Sequence, residues 1–160
     1  MRKIPLKNYI ILGIIIVVSI FAVLYFNKLY KNTKNSDNVL YGFIKEVKPY
    51  ELDNYIIENP SFIIYLSSRI SSNRSFEKKF KNFLMKYDLQ KDIVFIDIDD
   101  FDDQYFENFI SKYSNDSIML TKFNNIIIID NQRIQDILFM NDEQFDIDLV
   151  KKLFKENGVY

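Results

Sequence analysis

Two patterns of apolar and polar positions divide the chain. From Tyr9 to Phe26 the residues read YIILGIIIVVSIFAVLYF, eighteen positions without a charge. At about 1.5 Å per residue a helix of that length spans roughly 27 Å, close to the hydrocarbon core of a bilayer. From Val39 onward, short apolar runs alternate with helical periodicity. Val39–Val47 reads as a first strand or extended lead-in, and Pro49 fits the first turn of a helix through Glu58. FIIYL at 62–66 is a continuous apolar run, the pattern of a strand covered on both faces. Phe76, Phe80, Phe83, Leu84 and Tyr87 then recur at the spacing of one helix face.

The alternation continues to the C-terminus. IVFIDI at 93–98 predicts a strand, and Tyr105, Phe106, Phe109, Ile110 and Tyr113 predict a helix. IIII at 126–129 and RIQDILF at 133–139 predict two strands joined by a turn at 130–132. Asp146 is placed to cap a last helix with Leu149, Val150, Leu153 and Phe154 inward, and Gly158 lies just past its end. The expected fold class is therefore α/β in three layers, with a mixed sheet and helices on both faces, in the order βαβαβαββα. Helices between strands imply parallel crossovers, and the short turn implies an antiparallel hairpin. The expected organisation is a basic N-terminus at 1–8, an anchor at 9–26, a polar linker at 27–38 and a domain at 39–160.

Charge sharpens this division. The formal net charge is -1, but residues 1–36 carry six Lys or Arg and no acid, whereas 37–160 carry fifteen bases and twenty-two acids. The apolar run is too long for a usual signal-peptide core and is followed by NKLYKNTKN, with no small-x-small cleavage pattern. Tyr9–Phe26 thus reads as an uncleaved single-pass membrane anchor. Arg2, Lys3 and Lys7 before it balance Lys28, Lys31 and Lys34 after it, and the short basic N-terminus favours an extracytoplasmic domain. The chain has neither Cys nor His, which excludes thiol redox chemistry, thiolate zinc sites and any nucleophile driven by imidazole.

The element order, the strand–loop–helix FIIYLSSRISSNRSFEKKF, the strand IVFIDIDD and the segment NNIIIIDNQRI together resemble the thioredoxin fold over about residues 39–157. They look closest to the thioredoxin-like proteins associated with bacteriocin transport. The resemblance puts the two family cysteines near Ser71 or Ser72 and near Arg74 or Ser75, and its cis-proline at Asn124 or Asn125. A hydroxyl forms no disulfide, and a non-proline cis bond costs about 2.5–4 kcal/mol, so a trans bond is expected. The resemblance thus implies a redox-inactive member acting as a binding or scaffolding module for a membrane or export protein, with no cofactor.

Two polar segments are candidates for chemistry. Ser67–Ser75 holds Arg69, Ser71, Ser72, Arg74 and Ser75 before a helix N-terminus, a setting that attracts anions; with Asn124 and Asn125 it is the expected binding surface. The plainer reading has Ser capping the helix and solvated arginines. The run Asp97-Ile98-Asp99-Asp100-Phe101-Asp102-Asp103 offers hard oxygen ligands, making Asp97, Asp99 and Asp100 weak cation candidates. Asp97 with Asp99 also resembles the first motif of haloacid-dehalogenase-type phosphatases, the enzyme alternative; a plain assembly subunit whose span carries the contacts is a third. The default for the run is a strand end followed by acids at a helix start. Lys78, Lys79, Lys81 and Lys86 read as a solvated face, and an acidic domain argues against nucleic acid.

Overall fold

A computed structural model describes residues 6–71, 73–100, 102–114, 124–140 and 146–160. The chain divides into two compact units, Met1–Asp37 and Asn38–Tyr160. The first is a single helix, α1 (Leu6–Ser36). Its window Ile11–Leu29 is long and apolar enough to cross a membrane, and none of that window is buried within the protein. The residues expected to form an irregular linker continue this helix as far as Ser36. Asn, Thr and Ser lower helix propensity without breaking the helix, Lys favours it, and neither Gly nor Pro interrupts 27–36.

The second unit follows the expected element order. The elements are β1 (Lys45–Glu46), α2 (Pro49–Glu58), β2 (Phe62–Ser67), α3 (Arg74–Lys86), β3 (Ile93–Asp97), α4 (Asp103–Tyr113), β4 (Asn124–Asp130), β5 (Arg133–Met140) and α5 (Ile147–Glu156). One sheet runs β1-β3-β2-β4-β5. β3 pairs in parallel with both β1 and β2, while β4 pairs antiparallel with β2 and with β5. The direction of β4 corrects the expectation of parallel strands throughout the helix-linked part. Phe62 faces Ile129 and Leu66 faces Asn125, so β4 enters at the end where β2 leaves. A helix between two strands does not fix direction when the strands are not adjacent partners.

The first strand is also shorter than expected. Residues 38–44 form turns, with Tyr41 N–H on Asn38 O and Phe43 N–H on Leu40 O. Gly42 sits at φ 73°, a conformation that side chains with a Cβ disfavour. At the hairpin, Asn131 and Gln132 both take positive φ, as a two-residue turn matching strand twist requires. The Gln132 N–H donates to Pro60 O at 2.8 Å, which ties the tip to the end of the α2–β2 connection.

Alternation along the strands separates two cores. Ile63, Tyr65, Ile93, Phe95, Ile126 and Ile128 face α3 and α5, meeting Phe76, Phe80, Phe83, Leu84, Val150, Leu153 and Phe154. Phe62, Ile64, Leu66, Val94, Ile96, Ile127 and Ile129 face α2 and α4, meeting Leu52, Ile56, Phe109, Ile110 and Tyr113. Each central strand thus buries both sides, which explains why its sequence shows continuous apolar runs rather than alternation.

Candidate functional site

Parallel strands β1, β2 and β3 finish at the same end of the sheet, at Glu46, Ser67 and Asp97. The antiparallel β4 begins there, with Asn125 opposite Leu66. The sheet therefore brings the 67–75 loop beside Asn124 and Asn125, and Ser67 Oγ donates to Asn124 Oδ1 at 2.7 Å. The peptide bond joining the two asparagines is trans. Of the loop residues, Ser71 is half-buried, Arg74 opens α3, Ser75 is exposed, and Ser72 lies outside the described residues. Ile70 projects with 65% of its surface exposed. The helix cap is Asn73, whose side chain accepts from Phe76 N–H at 3.1 Å, rather than a serine. Asn is as good a cap as Ser and stands at the required position.

Beneath this surface lies a polar knot that includes residues not singled out from sequence. Asn38 Nδ2 donates to Ser67 Oγ at 3.2 Å and to Ser68 O at 3.1 Å, and Asn38 N–H donates to Arg69 O at 2.7 Å. Glu77, fully buried, accepts on Oε2 from Val39 N–H at 3.0 Å and from Ser71 Oγ at 2.8 Å. Its Oε1 and the Tyr65 hydroxyl are enclosed, with no hydrogen-bond partner among the described residues. Burial pushes the Tyr65 phenol well above its ordinary pKa. A signal for Glu77 existed: with Phe80 and Leu84 it stands at i, i+3 and i+7 on the apolar face of α3. Asn38 gave none, because the partners that tie it to the 67–69 segment lie 29 residues and more away in sequence.

The rim of the site is a web of charges. Arg69 Nη2 lies 2.7 Å from Glu46 Oε1 and 3.3 Å from Asp100 Oδ2. Its Nε lies 3.0 Å from Asp97 Oδ2, an ion-pair contact without hydrogen-bond alignment. Lys48 Nζ bridges Glu46 Oε1 at 2.6 Å and Asp100 Oδ2 at 2.8 Å. The hydrogen bond from Lys48, helped by Arg69 against the cost of burial, holds Glu46 below the usual carboxylate range. Asp100 and then Glu46 raise Lys48 to about 12. The Arg69 guanidinium also stands 5.4 Å from the Tyr41 ring centre.

This geometry revises the expected chemistry of the loop. Arg69 is committed to three carboxylates, so it is not a free receptor for an anion. Four acids, Glu46, Asp97, Asp99 and Asp100, surround two bases, which makes the rim acidic. Asp97 is only 4% exposed; desolvation raises its pKa, and Oδ1 accepts from Asp99 N–H at 3.0 Å. Asp99 accepts from Ser68 Oγ at 2.9 Å. The carboxylates thus face Arg69, Lys48, Ser68 and the backbone, and no group of three or more His, Cys, Asp or Glu among the described residues is arranged to hold a metal ion. Asp102 caps α4 through Tyr105 N–H at 2.6 Å, as the helix-start reading of the acidic run expects. No family model matches this chain, and no curated protein matches it in sequence.

Proposed function

We propose that the chain is a membrane-anchored, thioredoxin-like binding module without redox chemistry, serving a protein partner at the membrane. The observation that carries this is the sheet order β1-β3-β2-β4-β5 with its loop 67–75 held against Asn124, where the resemblance places a dithiol and this chain has hydroxyls. The strand directions and the two helices on each face support the same fold. Thiol–disulfide exchange by the chain's own side chains is impossible without a thiol. What remains at this end of the sheet is a surface built to be rigid: Asn38, Ser67 and Glu77 fix its backbone, the charge web fixes its rim, and Ile70 and Tyr41 are presented outward. Preorganisation of that kind lowers the ordering cost of binding. The helix α1 would anchor the module and raise its effective concentration near a membrane partner. The proposal places the domain outside the cytoplasm: labelling of Ser75→Cys by an impermeant maleimide in intact cells is the expected result, and labelling only after permeabilisation would reverse the placement.

Site-specific photo-crosslinking tests the surface. Ile70 and Ile57 are equally exposed, at 65% each, but Ile57 lies on α2, away from the loop. A photoreactive residue at 70 is expected to capture a specific protein that one at 57 does not, and Arg69→Glu is expected to abolish the capture. Equal capture from both positions would defeat the assignment of this surface.

A further inference from the structure

The two helical layers carry opposite charge. Helices α3 and α5 hold eight Lys or Arg against three acids, one of which is the buried Glu77. Helices α2 and α4 hold five acids against Lys112. Between α3 and α5 runs a groove lined by Lys79, Asn82, Phe83, Lys86, Tyr87 and Lys151. Lys151 pairs with Asp148 at 2.6 Å, whereas Lys78, Lys79, Lys81 and Lys86 form no ion pair with a described residue. Apolar groups stand among these cations: Met85 is half exposed, and Tyr87, Leu149 and Tyr160 are more than a third exposed. Lysines with apolar and aromatic neighbours suit an interface where ammonium groups meet phosphates and hydrocarbon meets the acyl boundary.

We propose that the α3/α5 layer docks on the phosphate headgroups of an anionic bilayer. The occupant is argued from charge complementarity and from the chain itself: the apolar window ends at Leu29, nine residues before the domain begins at Asn38. The inference rests on reading α1 as membrane-spanning. A bilayer surface attracts the basic layer and repels the acidic one, so the charge difference orients the domain and turns the α2/α4 layer away from the lipid.

The Cys-free chain makes the test direct. The full chain carrying Met85→Cys or Ile57→Cys, spin-labelled, is reconstituted into vesicles of phosphatidylcholine alone or with about 30% phosphatidylglycerol, and collision with a water-soluble relaxant is measured. Flotation of the chain with both vesicle types reads the anchor separately; chain that does not float defeats the membrane-spanning reading and this inference with it. The expected result is protection of the label at 85 only in the anionic vesicles. Roughly 0.5 M salt should reverse the protection. Lys79→Glu with Lys86→Glu and Lys151→Glu should abolish it, with the docked-to-free ratio falling roughly a hundredfold or more. The label at 57 should be unaffected. Equal accessibility at 85 in both vesicle types, or protection that ignores salt, overturns the proposal. Protection at 85 by added polyglutamate in neutral vesicles, without protection in anionic ones, would replace the bilayer with an acidic protein partner.

Discussion

The layer of α3 and α5 and the layer of α2 and α4 cover the same sheet by different means. The first is aromatic: Phe80 stands 5.5 Å from Tyr65, 5.5 Å from Phe76 and 6.2 Å from Phe154, ring centre to ring centre. It also contains the buried carboxyl of Glu77 and presents lysines outward. The second is mainly aliphatic at the sheet, and its polar ties lie near the surface. There Asp53 accepts from Lys112 Nζ at 2.8 Å and from Tyr113 Oη at 2.7 Å, and the Tyr105 hydroxyl donates to Pro49 O. Net charge summed over the chain conceals this segregation. The polar ties of the first layer are buried, and those of the second are partly exposed to water.

Truncations at the centre of each layer give the largest test. Phe80→Ala should destabilise the full chain by about 3–5 kcal/mol, because a fully buried ring with three aromatic neighbours leaves a cavity. Leu52→Ala in the other layer should cost about 2–5 kcal/mol. Urea unfolding in nanodiscs measures both, and a smaller loss for Phe80→Ala than for Leu52→Ala would remove the distinction between an aromatic and an aliphatic core.

The polar ties give a smaller effect with a clearer contrast. Glu77→Ala strands Val39 N–H and the Ser71 hydroxyl and is expected to cost about 1–3 kcal/mol. Asp53→Ala removes a partly exposed tie and should cost at most about 1 kcal/mol. Faster amide exchange at Val39 in the Glu77 variant alone would locate the loss; equal destabilisation by the two changes would contradict it.

The smallest effect is a pH dependence. Burial works against it, but the hydrogen bonds from Lys112 and Tyr113 hold Asp53 below its ordinary value of 3.8, and Lys48 holds Glu46 below 4.5. Both groups bind protons more readily unfolded than folded. Their contribution is complete above those ordinary values and is lost as the pH falls through them toward the depressed native values. Asp53→Asn and Glu46→Gln should each flatten the acid limb of a stability–pH curve, and an unchanged limb in both would show that these pairs are solvated.

Much of the fold was legible because periodicity reports burial. The apolar runs at 62–66, 93–98 and 126–129, Pro49 at the start of α2, Asp146 on Asp148 N–H at 2.9 Å and Gly158 at φ 66° appear where local chemistry puts them. The site was legible only in outline. Ser67 and Asn124 meet as the element order implied, but Arg69 looked available to an anion because its three acidic partners come from two other strand ends.

The sequence by itself determined the apolar helix, the alternation of strands and helices, the Asp146 cap and the absence of thiol and imidazole chemistry. Each of these depends on neighbours within a turn or on composition alone. Tertiary structure decided the antiparallel course of β4, the burial of Glu77 against Val39, the neutralisation of Arg69 and the separation of charge between the two layers. These depend on contacts between residues 23 to 67 positions apart along the chain, whose energies exist only after the sheet has assembled.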